Sequence, residues 1–168
     1  MAVDDIPAAL TGDDLKTWAS LATVLEWLPG ALDAQLLRDS DVTHFEYGVL
    51  YALAHAPDST LRMSVLAGYA NSTLSRLSRA ASRLEKRGWM RRAPDPADGR
   101  YTLAILTEQG QEKFEQASPG HVETVTRLVL EPLTAAQLRQ LREISRRIQR
   151  AIREESGWHP PSTEEEAG

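Results

Sequence analysis

Six polar side chains between positions 72 and 86 fall on one side of a helix. Ser72, Ser75, Arg76, Arg79, Arg83 and Lys86 recur at helical spacing, centred on Arg79, with Leu74, Leu77, Ala81 and Leu84 opposite. A row of guanidinium and ammonium groups suits phosphate oxygens, and arginine also fits the O6/N7 edge of guanine. Small hydroxyls between the arginines permit close approach, and a helix N-terminus favours phosphate. An ordinary solvated helix face mixes charge signs, whereas this stripe lacks glutamate. The chemistry points to a helix that enters the major groove of double-stranded DNA; a merely solvated face is the alternative.

A second basic group follows. Arg91, Arg92 and Arg100 surround a turn-rich tip, Pro94-Asp95-Pro96-Ala97-Asp98-Gly99. A basic hairpin beside such a helix can lie along the backbone or place an arginine in the minor groove. Asp98, two residues before Arg100, can orient that guanidinium through a charge-assisted hydrogen bond. The bland alternative is a surface hairpin with a salt bridge. Net charge conceals this concentration: the 168-residue chain carries −5, yet residues 62–100 carry +6 between segments of −8 and −3. A localised anion-binding face is expected rather than general affinity for nucleic acid.

The elements that must position these residues are mostly helical. A capping-box variant at Thr11 and Asp14 opens a helix with apolar positions from Leu15 to Leu36, in which Pro29-Gly30 predicts a kink or short break. A second helix runs over about Thr43–His55 and a short one over Ser64–Ala70. Thr73–Arg87 is helical and ends at Gly88. Trp89–Ala93 and Tyr101–Leu106 read as hairpin strands, the second with Tyr101, Leu103 and Ile105 on one face. Thr107 caps a helix that Pro119-Gly120 is expected to interrupt. Leu138, Leu141, Ile144, Ile148 and Ile152 then form a seam with a capping box at Thr134 and Gln137. Neither this seam nor that of Leu15–Leu36 can be wholly buried within one such domain, which predicts a homodimer.

These residues resemble the MarR-type winged helix-turn-helix regulators. The resemblance rests on Leu66-Ala67, Ser72-Thr-Leu-Ser-Arg-Leu77, Arg83-Leu-Glu-Lys-Arg-Gly88, Arg92, Asp95-Pro96, Asp98-Gly-Arg100, Leu106-Thr107 and Gly110. It covers about 43–112 by motif and 13–155 by helix order. The departures are Pro29-Gly30, a glycine where the wing often carries another basic residue, and an acidic tail. The resemblance implies an obligate homodimer with interlocked terminal helices and two winged domains reaching adjacent grooves of DNA. The expected fold is mainly α with a small β-hairpin wing. It divides into a flexible N-terminus (1–12), an N-terminal dimerisation region (13–42), a winged helix-turn-helix domain (43–112), C-terminal dimerisation helices (113–155) and a disordered tail (156–168). DNA contacts are expected from Ser72, Ser75, Arg76, Arg79, Arg83, Lys86, Arg92, Asp98 and Arg100. Family members often bind small aromatic or phenolic anions where the dimer helices meet the DNA-binding part. Trp18, Trp27, His44, Phe45, Tyr47 and Tyr51 are the candidates for lining such an effector pocket.

Other classes fit less well. The absence of cysteine excludes disulfides, thiolate metal sites and cysteine nucleophiles. The four histidines form no His-x3-His pair, and no nucleophile elbow or phosphate-binding glycine loop is present, so no enzyme, cofactor or metal is expected. A metal-responsive regulator using His44, Glu46, His55 or His121 remains an alternative, as does a winged module that binds protein. No stretch approaches the ~18 apolar residues of a membrane span. Met1-Ala-Val-Asp-Asp-Ile6 shows no basic segment before an apolar run, so a cytoplasmic regulator, most simply a repressor on a pseudo-palindromic operator, is expected.

Overall fold

The computed structural model describes residues 9–156. The expectations of a flexible start and a disordered tail therefore fall almost entirely outside the described residues. Helix α1 (Gly12–Ser40) is followed by α2 (His44–Ala54), strand β1 (Thr60–Arg62), α3 (Met63–Tyr69) and α4 (Leu74–Lys86). Strands β2 (Met90–Pro94) and β3 (Thr102–Leu106) lead to α5 (Glu108–Val125), a π-helical turn over Thr126–Leu130, and α6 (Ala135–Ser156).

Local sequence explains most helix starts. Thr43 and Glu46 form a complete capping box on α2. Thr73 Oγ1 accepts the Arg76 amide on α4, and Thr107 Oγ1 accepts the Gly110 amide on α5. Thr11 stands at the N-cap of α1, but its side chain makes no capping bond there. Thr134 and Gln137 make the reciprocal bonds of their box.

Neither proline pair ends its helix. Alpha-helical structure runs through Pro29 and through Pro119. Proline removes one backbone donor, and the loss of a single bond need not end a long helix. Helices α1 and α5 pack along one another, and a Cβ on Gly120 would stand 3.0 Å from Gln35 Nε2, so the glycine that looked like a breaker permits the close approach.

The hairpin is part of a three-stranded antiparallel sheet in the order β1-β3-β2. Thr60 pairs with Ile105, and Met90 with Leu106. Leu103 and Ile105 share the half-buried side of β3, and the side buried against the core is Ala104 and Leu106; Tyr101 precedes the strand and is exposed. Strand register decides which alternate set meets the core, and Leu106 leads through the Thr107 cap into α5. A Cβ on Gly110 would lie 1.9 Å from the Trp89 carbonyl oxygen, so no side chain fits at that contact.

One core cluster joins Leu50, Leu53, Leu66, Leu77, Leu84 and Met90, from α2, α3, α4 and β2. A smaller one places Leu36, Val42, Tyr47 and Ala117 where α1 and α5 meet α2. Helix α6 makes only marginal contact with the other described elements. No described helix is long and apolar enough to cross a membrane.

Candidate nucleic-acid interface

Helix α4 buries Leu77, Ala80, Ala81 and Leu84 and turns Ser75, Arg79, Ser82 and Lys86 outward. Among the described residues nothing pairs with Arg79 or Lys86, so both cations are free for an external anion. Leu74, assigned to the buried side by its spacing, is 56% exposed. It sits in the first turn, before the packing partners of Leu77 begin. Ser72 precedes the Thr73 cap and lies in the turn, not in the helix.

The two flanks of this outward strip are fixed by different neighbours. On one side α2 holds the arginines. Arg76 stacks its guanidinium 4.5 Å from the centre of the Phe45 ring, and Arg83 Nε donates to Glu46 Oε1 at 2.7 Å. Burial alone would raise the Glu46 carboxyl, but the Thr43 amide and the Arg83 guanidinium outweigh it and hold the group below the ordinary carboxylate range. On the other side β2 supplies Arg92. Its Nη2 donates to Glu85 Oε2 at 2.6 Å, and its Nη1 and Nη2 donate to Ser78 Oγ at 3.1 Å and Ser82 Oγ at 3.0 Å. The Arg92 hydrogen bonds lower the Glu85 carboxyl. Arg92, expected among the external contacts, is therefore consumed inside the molecule. Its neighbour Arg91 alternates to the exposed face and has no partner among the described residues.

At the wing, Arg100 donates Nη2 to Asp98 Oδ2 at 2.6 Å and Nε to Oδ1 at 2.9 Å, while its side chain stays 84% exposed. The Arg100 hydrogen bond holds Asp98 below the ordinary carboxylate range. The base of the wing is tied by a bond the sequence did not suggest: Arg62 Nε donates to the buried Asp95 at 2.8 Å and covers the Tyr101 ring. Arg62 comes from β1, a three-residue strand with no periodicity of its own.

The six candidate pocket residues do not converge. Trp18 and Trp27 are exposed on α1, Phe45 lies under Arg76, and Tyr51 stacks on His55. His44 and Tyr47 share a site beside His121, whose ring centre is 4.3 Å from that of Tyr47, and the Tyr47 and Tyr51 rings both stand near that of Phe114, at 5.7 and 6.0 Å between centres. Burial lowers both imidazoles, opposed at His44 by Asp33 and reinforced at His121 by His44. Gln35 Oε1, His44 Nδ1 and His121 Nδ1 are buried without hydrogen-bond partners among the described residues. No group of three or more His, Asp or Glu among the described residues is placed to hold a metal ion.

A recognition-type helix, a basic wing and flanking long helices define a winged helix-turn-helix protein. A MarR-family model matches residues 40–100. The chain is 42% identical to the Streptomyces coelicolor MarR-family regulator Sco3205, solved in complex with DNA, over 88% of this chain and 92% of that one, with a TM-score of 0.83. AbsC, from the same organism and family, is 29% identical over 87% of this chain and 98% of its own, with a TM-score of 0.82. The Bacillus subtilis HTH-type transcriptional regulator YdcH is 33% identical over 87 residues, 49% of this chain. The match spans a little over half of the length of the curated relatives, 58% for YdcH. The chain belongs to the MarR family of transcriptional regulators.

Proposed function

We propose that the protein binds double-stranded DNA as a homodimer and represses transcription from a pseudo-palindromic operator. The observation that carries the reading is the outward strip of α4. Two unpaired cations, Arg79 and Lys86, stand between flanks that protein contacts have already immobilised. Arg79, Lys86 and Ser75 make the direct contacts, with Ser72 at the entry turn. Arg76 and Arg83 approach phosphates from anchored positions. Asp98 orients Arg100 towards the backbone or minor groove, and Arg92 holds the scaffold. Residues 43–112 form the DNA-binding part, and 13–42 and 113–155 the dimerisation parts. Ile144, Ile148 and Ile152 are exposed in the single chain, as are Leu15, Trp18 and Leu25, which supports a second copy covering them.

A small aromatic or phenolic effector enters beside His44, Tyr47 and His121. The unpartnered polar atoms there, with Gln35, supply groups that could fix its orientation. The test is selection of bound duplexes from a random library, followed by titration at two salt concentrations and light scattering. The expected outcome is two half-sites ~10 bp apart centre to centre, affinity falling with salt, and a particle of about 37 kDa, twice the 18.6 kDa chain. A monomer that binds protein but no duplex would favour the protein-interaction reading.

A further inference from the structure

Leu74 and Ser78 are one helical turn apart on the wing-facing edge of the α4 strip, and both border its shallow concavity with Ser75, Arg79 and Ser82. Leu74 is 56% exposed in the first helical turn and is not part of the buried core cluster. Leu77, Ala80, Ala81 and Leu84 form the buried side of this helix, and Leu74 leaves most of its apolar surface open beside the strip.

Ser78 is chemically constrained. Its hydroxyl oxygen accepts Arg92 Nη1 at 3.1 Å, and Arg92 is itself clamped by Glu85. Ser82, its neighbour, spends its proton on the Ser78 carbonyl at 2.9 Å, while no partner among the described residues takes the Ser78 proton. A guanidinium pressing on one lone pair leaves Ser78 to act outward as a donor. The pair thus presents an apolar surface beside a hydrogen-bond donor. In the major groove the base edge that displays a methyl group beside an acceptor is thymine, through its C5-methyl and O4. Adenine and cytosine place an amino donor on that edge, and guanine has no methyl.

We infer that Leu74 and Ser78 together read one thymine in each half-site, Leu74 through the methyl and Ser78 through O4. The inference rests on the DNA-binding reading above. It assigns sequence preference to two residues outside the arginine stripe, with Arg92 and Glu85 as positioning residues.

The experiment uses the full chain and the duplex that wild type selects from a random library. Each thymine is replaced in turn by deoxyuridine, which deletes only the methyl, or by 5-methylcytosine paired with guanine, which keeps the methyl and turns the acceptor into a donor. At one symmetric position, deoxyuridine is expected to weaken wild type about fourfold per half-site, the value of one buried methyl, and to leave Leu74→Ala unchanged. At that position 5-methylcytosine is expected to weaken wild type more than Ser78→Ala. Leu74→Ala should melt with wild type, because its side chain is exposed, whereas Ser78→Ala loses the bond from Arg92 and is titrated well below its own melting temperature, so that only its discrimination between duplexes is read. Tight binding to the selected duplex with no deoxyuridine effect at any thymine would overturn the thymine assignment alone. Equal deoxyuridine losses in wild type and Leu74→Ala would do the same. Failure to select any duplex would overturn the DNA-binding reading and this inference with it.

Discussion

The winged body and the long helices treat the same residue types in opposite ways. In the body, Leu50, Leu53, Leu66, Leu77 and Leu84 are completely buried, and the arginines that flank α4 are held by Phe45, Glu46, Glu85 and two serines. In α6, Leu141, Ile144, Ile148 and Ile152 are 39–55% exposed, and Arg147 pairs only with the exposed Glu143 one turn away. The difference separates a part whose stability is intramolecular from one whose apolar seam has little to pack on among the described residues of its own chain. An exposed i,i+4 ion pair contributes a few tenths of a kcal/mol and cannot replace that packing.

Truncation in each region sharpens the contrast. Leu84→Ala opens a cavity in the core and is expected to cost about 2–5 kcal/mol at every protein concentration, read by denaturant unfolding. Ile148→Ala should instead lower the melting temperature more at low concentration than at high, with light scattering shifting towards the single-chain mass. If both variants melt independently of concentration, α6 is not an intersubunit element.

Arg92→Ala is expected next in size, at about 1.5–3 kcal/mol, because it removes the charged donor of Glu85 and leaves only the backbone amide of residue 92 on that carboxylate. Exposed Arg91→Ala should change stability by less than about 0.5 kcal/mol. Equal losses from both would break the assignment of Arg92 to the scaffold.

Arg79→Ala should leave the melting temperature unchanged and cost about 1–3 kcal/mol on the selected duplex, with discrimination flattened. Arg100→Ala should weaken most duplexes, most of all those with A·T-rich flanks. Titration against selected, scrambled and flank-swapped duplexes separates them; equal loss on every duplex would make both arginines phosphate anchors.

The smallest effect concerns the imidazoles. His44 and His121 titrate below the ordinary value of 6.5 in the folded chain, so the unfolded chain binds more protons as the pH falls through that value. Their contribution to stability is complete above about pH 6.5 and is lost as acidification approaches the folded values. His121→Phe should flatten the decline in melting temperature between neutral and mildly acidic pH. An unchanged slope would remove this pair from the acid response.

Much of this molecule was written in local pattern. The order of helices, the Thr73 and Thr107 caps and the outward Ser75, Arg79 and Lys86 follow from a 3.6-residue period and from side chains that bond within three residues. The Asp98–Arg100 pair is equally local. Other features depend on what lies across space. Strand β1 has no signal of its own and exists because β3 offers it an edge. Whether Arg91 or Arg92 faces inward is decided by the register of β2, and Glu85 meets Arg92 only because α4 and β2 fold back on each other. A wheel gives the direction of Leu74 but not whether a neighbour is there to cover it, which is why an apparent core leucine stands exposed. Pro119 shows the converse, since the packing of α5 on α1 kept helical what a local breaker argued against. Period and capping energies act within one turn of chain. Register, coverage and the choice among arginines are set by contacts between segments, and those exist only once the elements have packed.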